Sequence, residues 1–199
     1  MKIIIVGATG TIGKHITAAL EKDHDVIKAG SKSGDLQVDI SSPDSIRRFY
    51  EQTGNFDALV SATGTGHFGP LNTMTDADFR VGINSKLMGQ VNLVLIGQHY
   101  INTKGSFTLT SGIMSHDPVL LGANLSAVNG GINGFVKAAA IELENGVRIN
   151  AISPGVFEES PEYFPFFAGH IPVKMHKVTQ AYVKSVLGAL TGQVISVVD

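Results

Sequence analysis

Cysteine and tryptophan are both absent from this chain of 199 residues. Without cysteine the protein can form no disulfide bond and no thiolate zinc site, and it has no thiol nucleophile. This absence favours a reducing compartment, and we expect a cytoplasmic protein. The seven histidines show no metal-ligand spacing, so we predict that no metal is bound.

Long apolar runs and an excess of one charge sign are absent as well. No apolar stretch approaches the ~20 residues of a membrane-spanning helix. The 15 Lys+Arg and 17 Asp+Glu give a net charge of -2. These values favour neither a membrane nor a nucleic acid as partner, and they suit a protein that acts on a small molecule. The length predicts a single domain over residues 1–199.

Short apolar segments alternate along the chain with segments of helical periodicity. The predicted strands are 3–6, 25–29, 36–38, 58–61, 106–110, 148–152 and 194–198. The predicted helices are 11–22, 43–53, 76–100 with an interruption, 126–143 and 178–190. Strands that are apolar almost throughout are typical of parallel sheets with helices on both faces. The pattern therefore predicts an α/β fold whose doubly wound parallel sheet has about seven strands.

A glycine-rich turn joins the first predicted strand to the first predicted helix. Its spacing, G-x-x-G-x-x-G, leaves backbone N–H groups and the positive end of a helix free to face a pyrophosphate. This context makes a ligand-free tight turn the weaker interpretation, and it predicts a dinucleotide-binding Rossmann fold. The candidate pyrophosphate-binding residues are Gly7, Thr9, Gly10, Thr11, Ile12 and Gly13.

The end of the second predicted strand distinguishes between cofactors, since an acidic residue there binds the ribose 2′-hydroxyl of NAD. Here the chain has Ser31, Lys32 and Ser33, and no carboxylate occurs before Asp35. Basic and hydroxyl side chains accommodate a 2′-phosphate, so the sequence favours NADP(H) over NAD(H). The alternative is that Lys32 is a solvated lysine on an ordinary loop.

Five further stretches follow in a characteristic order along the chain. They are Val38-Asp39-Ile40, Ser61-Ala62-Thr63-Gly64, Ile83-Asn84-Ser85, 108–112 and 148–155. In this order they resemble the motifs of the short-chain dehydrogenase/reductase family from end to end. The resemblance implies an NAD(P)-dependent oxidoreductase.

The resemblance also implies roles for individual residues. Asp39 and Ile40 would contact the adenine, and Ala62, Thr63 and Gly64 would form the cofactor-side turn after the fourth strand. Pro154 and Gly155 would lie beside the nicotinamide. Asn84 and Ser111 are the candidate catalytic residues, although Asn84 has the alternative interpretation of a residue that only kinks its helix.

The chain departs from the family at the catalytic Tyr-x-x-x-Lys pair. The alignment places Leu125 at the tyrosine position and Asn129 at the lysine position, and it places Gly112 at the serine position next to Ser111. Leucine cannot donate a proton, so catalysis would need another acid. His116 and, more weakly, His67 are alternatives, but solvated loop histidines are the favoured interpretation of both.

Two lysines and an aromatic segment complete the list of candidates. Lys86 and Lys137 have helical positions that suit the protein surface. The segment 157–167 covers the substrate in family members, and its aromatic residues suit either a small carbonyl compound or a partner subunit. The apolar helices over 87–100 and 126–143 predict a homodimer or homotetramer, because one sheet face cannot cover all of their apolar surface.

Two functions are compatible with these observations. One is an NADP(H)-dependent oxidoreductase that acts on a small carbonyl/alcohol substrate through an atypical active site. The other is a non-catalytic NADP(H)-binding protein, such as a redox sensor or a regulatory protein. Pro154-Gly155 and the aromatic segment 157–167 favour the enzyme, whereas Leu125 and Asn129 favour the binding protein.

Overall fold

A computed structural model describes residues 1–199 and shows a seven-stranded, fully parallel sheet of order β3-β2-β1-β4-β5-β6-β7. The strands are β1 (Lys2–Val6), β2 (Asp25–Gly30), β3 (Leu36–Gln37), β4 (Phe56–Ser61), β5 (Ile101–Thr110), β6 (Arg148–Pro154) and β7 (Val194–Val197). Helices cover both faces, so the predicted doubly wound α/β fold is confirmed.

The helices are α1 (Gly13–Leu20), α2 (Pro43–Thr53), α3 (Asp76–Gly82), α4 (Met88–Gly97), α5 (Ala123–Glu142) and α6 (Met175–Leu187). The predicted boundary chemistry is present at α2, where the Ser42 hydroxyl accepts from the Ser45 N–H and Gly54 ends the helix. The predicted interruption of 76–100 is a π-helix over Ile83–Leu87. A π-helix adds a residue to the turn, so it rotates the side chains that follow around the helix axis.

Strand β1 shows why the strands are apolar on both sides. Ile4 and Val6 belong to one core cluster, which includes residues of α2, α4 and α5. Ile3 and Ile5 belong to a second cluster on the opposite face, formed with α1 and α6. Burial on both faces explains the continuous apolar runs.

The carboxyl ends of the parallel strands meet at one edge of the sheet. The order of strands reverses at β1, which lies between β2 and β4, and ligands of doubly wound sheets bind beside such a reversal. The glycine turn after β1 and the loops after β4, β5 and β6 therefore share this edge. None of the helices combines the length and apolar character needed to cross a bilayer.

Candidate active site

The glycine turn is built by close backbone contacts. Gly7 has a φ of +86°, and a Cβ atom on Gly13 would lie 1.9 Å from the Gly7 carbonyl oxygen. The N–H groups of Thr11, Ile12 and Gly13 have no hydrogen-bond partner within the protein, and no side chain caps α1. This arrangement fits a pyrophosphate, because unpaired N–H groups at a helix start bind anions.

The loop after β2 contacts the glycine turn through the hydroxyls of Thr9 and Ser33, which lie 2.9 Å apart. Ser31, Lys32 and Ser33 are all exposed. Asp35, the first carboxylate after β2, accepts from the Lys28 N–H at 2.9 Å and is thereby turned to the strand backbone. The loop thus presents a cation and hydroxyls to solvent beside the glycine turn.

Asp39 and Ile40, the candidate adenine-binding residues, follow β3. The Asp39 carboxylate accepts from the N–H and the hydroxyl of Ser41, and these hydrogen bonds lower its pKa. Ile40 is buried and packs against Gly89. Asp39 is exposed, and its lowered pKa means that the carboxylate is charged at neutral pH.

A cleft of about 480 Å³ opens at the carboxyl edge of the sheet. Its walls come from the loop after β4, the π-helix, the end of β5, helix α5 and the segment after β6. The lining residues that bear on function are Ile12, Gly64, Lys86, Thr110, Ser111, Gly112, Leu125, Asn129, Pro154, Gly155 and Tyr163. The cleft thus brings together Ile12, Gly64, Ser111, Pro154 and Gly155 of the predicted site residues.

Helix α5 presents Leu125 and Asn129 to the cleft. The neighbouring Asn124 is buried elsewhere, where its Oδ1 accepts from the His67 N–H and its Nδ2 donates to the Phe79 carbonyl. The tyrosine and lysine positions of the alignment are therefore the positions that face the cleft.

Asn129 is fully buried, and neither its Nδ2 nor its Oδ1 has a hydrogen-bond partner in the protein. A Cβ on Gly112 would lie 2.8 Å from the Asn129 Nδ2, so glycine at position 112 makes room for this carboxamide. An unpaired buried polar group costs about 1–3 kcal/mol. A ligand that both donates and accepts would satisfy it.

The hydroxyl groups at the end of β5 already have partners. Thr110 Oγ1 donates to the Ser61 carbonyl and lies 2.6 Å from the Tyr182 hydroxyl. Ser111 Oγ donates to the Asn129 carbonyl at 3.2 Å. Ser111 is thus in the cleft as expected, with its proton directed to the backbone of α5.

Lys86 is not on the surface, and the prediction made for it is wrong. It is half-buried in the cleft wall, and its Nζ donates to the Ser111 carbonyl at 3.3 Å. Burial lowers its pKa to about 8. Sequence periodicity misplaced Lys86 because it lies within the π-helix, where α-helical spacing fails.

Other candidates lie away from the cleft wall. Asn84 is in the π-helix with an exposed side chain, and His116 is exposed next to Ser115. His67 Nδ1 lies 3.9 Å from an oxygen of Asp78, and Lys137 is exposed on α5. None of these four residues lines the cleft.

One Tyr-x-x-x-Lys string occurs in the chain, at Tyr100 and Lys104. Lys104 lies within β5 near its amino end, and Tyr100 directly precedes that strand and stacks on Tyr50. This string is at the edge of the sheet opposite the cleft. It cannot reach the ligand-binding edge, so the spacing alone has no catalytic meaning here.

The aromatic segment after β6 closes one side of the cleft. Tyr163 and Phe166 lie in a short 3-10 helix (Pro161–Phe166) and pack edge-to-face on Phe68 from the loop after β4, with centroid distances of 6.5 and 4.9 Å. Phe167 is buried and also lines the cleft. The wall formed by this segment is mostly apolar, as is common in pockets that bind small organic molecules.

Comparisons with known proteins agree with this geometry. The sequence model of the enoyl-(acyl carrier protein) reductase family matches residues 7–165. The 3-oxoacyl-[acyl-carrier-protein] reductase FabG of Buchnera aphidicola is 23% identical, and the alignment covers 98% of this chain and 94% of that protein.

Two solved structures are similar over 99% of this chain. The protein lin1944 from Listeria innocua is 51% identical, with a TM-score of 0.97 and 99% of its own chain covered. A small-chain dehydrogenase in complex with NADPH is 27% identical, with a TM-score of 0.89 and 96% of its chain covered.

Proposed function

Because the chain belongs to the short-chain dehydrogenase/reductase family of oxidoreductases, we propose that it uses NADP(H) to interconvert a small carbonyl compound and the corresponding alcohol. The unpaired carboxamide of Asn129 carries this proposal. It is buried in the cleft wall that also contains Pro154 and Gly155. A protein that bound no ligand there would leave this polar group unsatisfied.

The residues fit a nicotinamide dinucleotide along the whole edge of the sheet. The free N–H groups of Thr11, Ile12 and Gly13 would hold the pyrophosphate. Ser31, Lys32 and Ser33 would hold a 2′-phosphate, and the NADPH complex of the 27% identical dehydrogenase supports this assignment. Asn129 would hold the nicotinamide ribose, whose hydroxyls both donate and accept.

When bound, a reduced nicotinamide supplies a hydride to the carbonyl carbon. The protein's contribution is to place the substrate between α5, the end of β5 and the aromatic segment, and to exclude water there. Leu125, Tyr163 and Phe167 give this part of the cleft an apolar surface. Such a surface favours small aromatic or aliphatic carbonyl compounds.

A non-catalytic NADP(H)-binding function is the second candidate, and the presence of Leu125 at the cleft favours it. Leucine offers no proton, so a protein that only senses the cofactor could carry it without loss. The two candidates differ in turnover: both bind NADPH, and only the enzyme oxidises it when a carbonyl compound is added.

Calorimetry of the full chain with NADPH, followed by an NADPH-oxidation assay with small ketones, aldehydes and quinones, tests the proposal. We expect micromolar or tighter binding and turnover of at least one carbonyl class. Absence of NADPH binding would contradict both candidates, whereas binding without turnover across the whole panel would leave only the sensor.

A further inference from the structure

We propose that Lys86 donates the proton to the carbonyl oxygen of the substrate, in the role that the family's tyrosine has. This inference rests on the proposed oxidoreductase function. It names the acid that Leu125 cannot provide, and it places that acid on the π-helix, a different element from α5.

Titratable side chains are scarce on the cleft wall. Lys86 and Tyr163 are the two that line it. The hydroxyls of Thr110 and Ser111 each give their single proton to a backbone carbonyl, whereas the Lys86 ammonium gives one of its three N–H groups to the Ser111 carbonyl and keeps two. Tyr163 is 46% exposed on the aromatic segment and packs edge-to-face on Phe68. Lys86 is therefore the half-buried titratable group in this cleft, next to the end of β5.

The backbone of Lys86 is held firmly to the end of β5. The buried Gln90 donates from its Nε2 to the carbonyls of Lys86 and Thr110, and its Oε1 accepts from the Thr110 N–H. Gly64 packs directly on Lys86: a Cβ on Gly64 would lie 2.8 Å from the Lys86 Cα. These contacts fix the π-helix against β4 and β5, and the hydrogen bond from Lys86 Nζ to the Ser111 carbonyl holds the amine at the end of β5.

The surroundings of the amine favour proton release near neutral pH. No carboxylate lines the cleft, and Lys86 forms no salt bridge. The uncharged Leu125 and Asn129 of α5 and Tyr163 of the aromatic segment line the same cleft. Behind Thr110 lies the buried Tyr182 phenol, whose pKa is raised by burial. Desolvation alone brings the pKa of Lys86 to about 8, close to the working pH that suits a general acid.

The proposed step balances as a two-electron reduction. The carbonyl carbon receives a hydride from the reduced nicotinamide, and the carbonyl oxygen forms an O–H bond with a proton from the Lys86 ammonium. One N–H bond breaks and leaves a neutral amine on Lys86. Water then returns a proton to the amine, which is ready for the next turnover.

Lys86→Met and Lys86→Arg test the assignment, with the exposed Lys137→Met as matched control. We expect both Lys86 variants to lose about 100- to 10,000-fold in kcat, while the Kd for NADPH changes less than about 3-fold. In the parent, kcat for reduction should fall as pH rises through about 8, because the ammonium is lost. Lys137→Met should retain parental values.

Retention of the parental kcat by Lys86→Arg would overturn the assignment, because arginine keeps the charge but does not give up its proton. An unchanged kcat in Lys86→Met, or loss of the pH break in Tyr163→Phe instead, would also overturn it. Absence of NADPH binding or of any turnover in the parent would refute the proposed oxidoreductase and this assignment together. Normal parental turnover with an unaffected Lys86→Met refutes the assignment alone.

The pH dependence of stability gives a readout that needs no cofactor. Burial lowers the pKa of Lys86 from 10.5 to about 8, so the folded protein carries a destabilised ammonium below pH 8. Lys86→Met should therefore raise Tm by about 5 °C at pH 7, and the difference should close as pH rises toward 10.5. A difference in Tm that does not depend on pH would place Lys86 in solvent and overturn the assignment.

Discussion

The two halves of the ligand-binding edge of the sheet are built from different parts of the chain. The half at β1 and α1 consists of backbone: Gly7 and Gly13 bring N–H groups to an anion, and the side chains there matter mainly by being small. The half at α5 consists of side chains, among them Leu125 and Asn129, which the sequence alignment places at the family's tyrosine and lysine positions.

This difference determines which half tolerates substitution without losing its chemistry. A backbone-built site allows few substitutions, because a Cβ atom at a close approach displaces the chain itself. A proton donor can come from any element that reaches the same cleft. In our proposal Lys86 provides it from the π-helix, so the reaction keeps its cofactor while its acid changes position.

The substitution Gly13→Ala should have the largest effect, because it disrupts the glycine turn of the backbone-built half. The new Cβ would lie 1.9 Å from the Gly7 carbonyl oxygen, so the turn must open. We expect the Kd for NADPH to rise on the order of 1,000-fold, about 4 kcal/mol of binding free energy, by calorimetry. Gly134→Ala on α5 is the control, because a Cβ there meets nothing within 4 Å. Equal affinities of the two variants would contradict the pyrophosphate assignment.

The side-chain half can be returned to the family arrangement with Leu125→Tyr and Asn129→Lys together. These residues are four apart on α5 and both line the cleft, so a phenol and an ammonium would meet there. We expect kcat for ketone reduction to rise about 100-fold, because proton donation acts in the transition state.

In this double variant, Lys86→Met should cost less than about tenfold in kcat, because the new tyrosine carries the proton. The result would be contradicted by a double variant whose kcat is lower than that of the parent, or whose kcat still depends fully on Lys86. Either outcome would show that side chains at positions 125 and 129 do not reach the carbonyl group of the substrate.

The smallest expected effect concerns the choice between cofactors. Lys32→Ala removes the exposed cation beside the Thr9–Ser33 contact. We expect about tenfold weaker NADPH binding with unchanged NADH binding, because only NADPH carries the 2′-phosphate. Lys22→Ala, which makes the same change in net charge on another exposed loop, serves as control. Equal parental affinities for NADPH and NADH would remove the basis for a phosphate site.

Most of the fold could be predicted from local patterns. The apolar run at β1 serves two cores because alternate residues face opposite sides of the sheet, and the run therefore indicates a covered parallel strand. The boundaries of α2 follow from Ser42, Pro43 and Gly54, whose effects are local. The candidate cofactor residues could be named for the same reason, since the glycine turn is contiguous in sequence.

The half of the site that consists of side chains could not be predicted in full. Lys86 has the spacing of a surface residue in an α-helix, and its place in the cleft depends on the π-helix that Gln90 ties to Thr110. A signal was present in the chain: the polar Gln90 lies in an otherwise apolar helix, and a buried amide there needs partners on another element.

By itself, the sequence predicted the sheet, its burial on both faces, the glycine turn and the alignment that places Leu125 and Asn129 at the tyrosine and lysine positions. Those features depend on residues that are neighbours in the chain or that repeat with a regular period. Tertiary structure alone decided that Asn129 has no partner, that the hydroxyls of Thr110 and Ser111 are already engaged, and that Lys86 faces the cleft. The reason is physical: hydrogen-bond satisfaction and desolvation depend on which atoms from distant segments surround a group, and a linear pattern does not contain those distances.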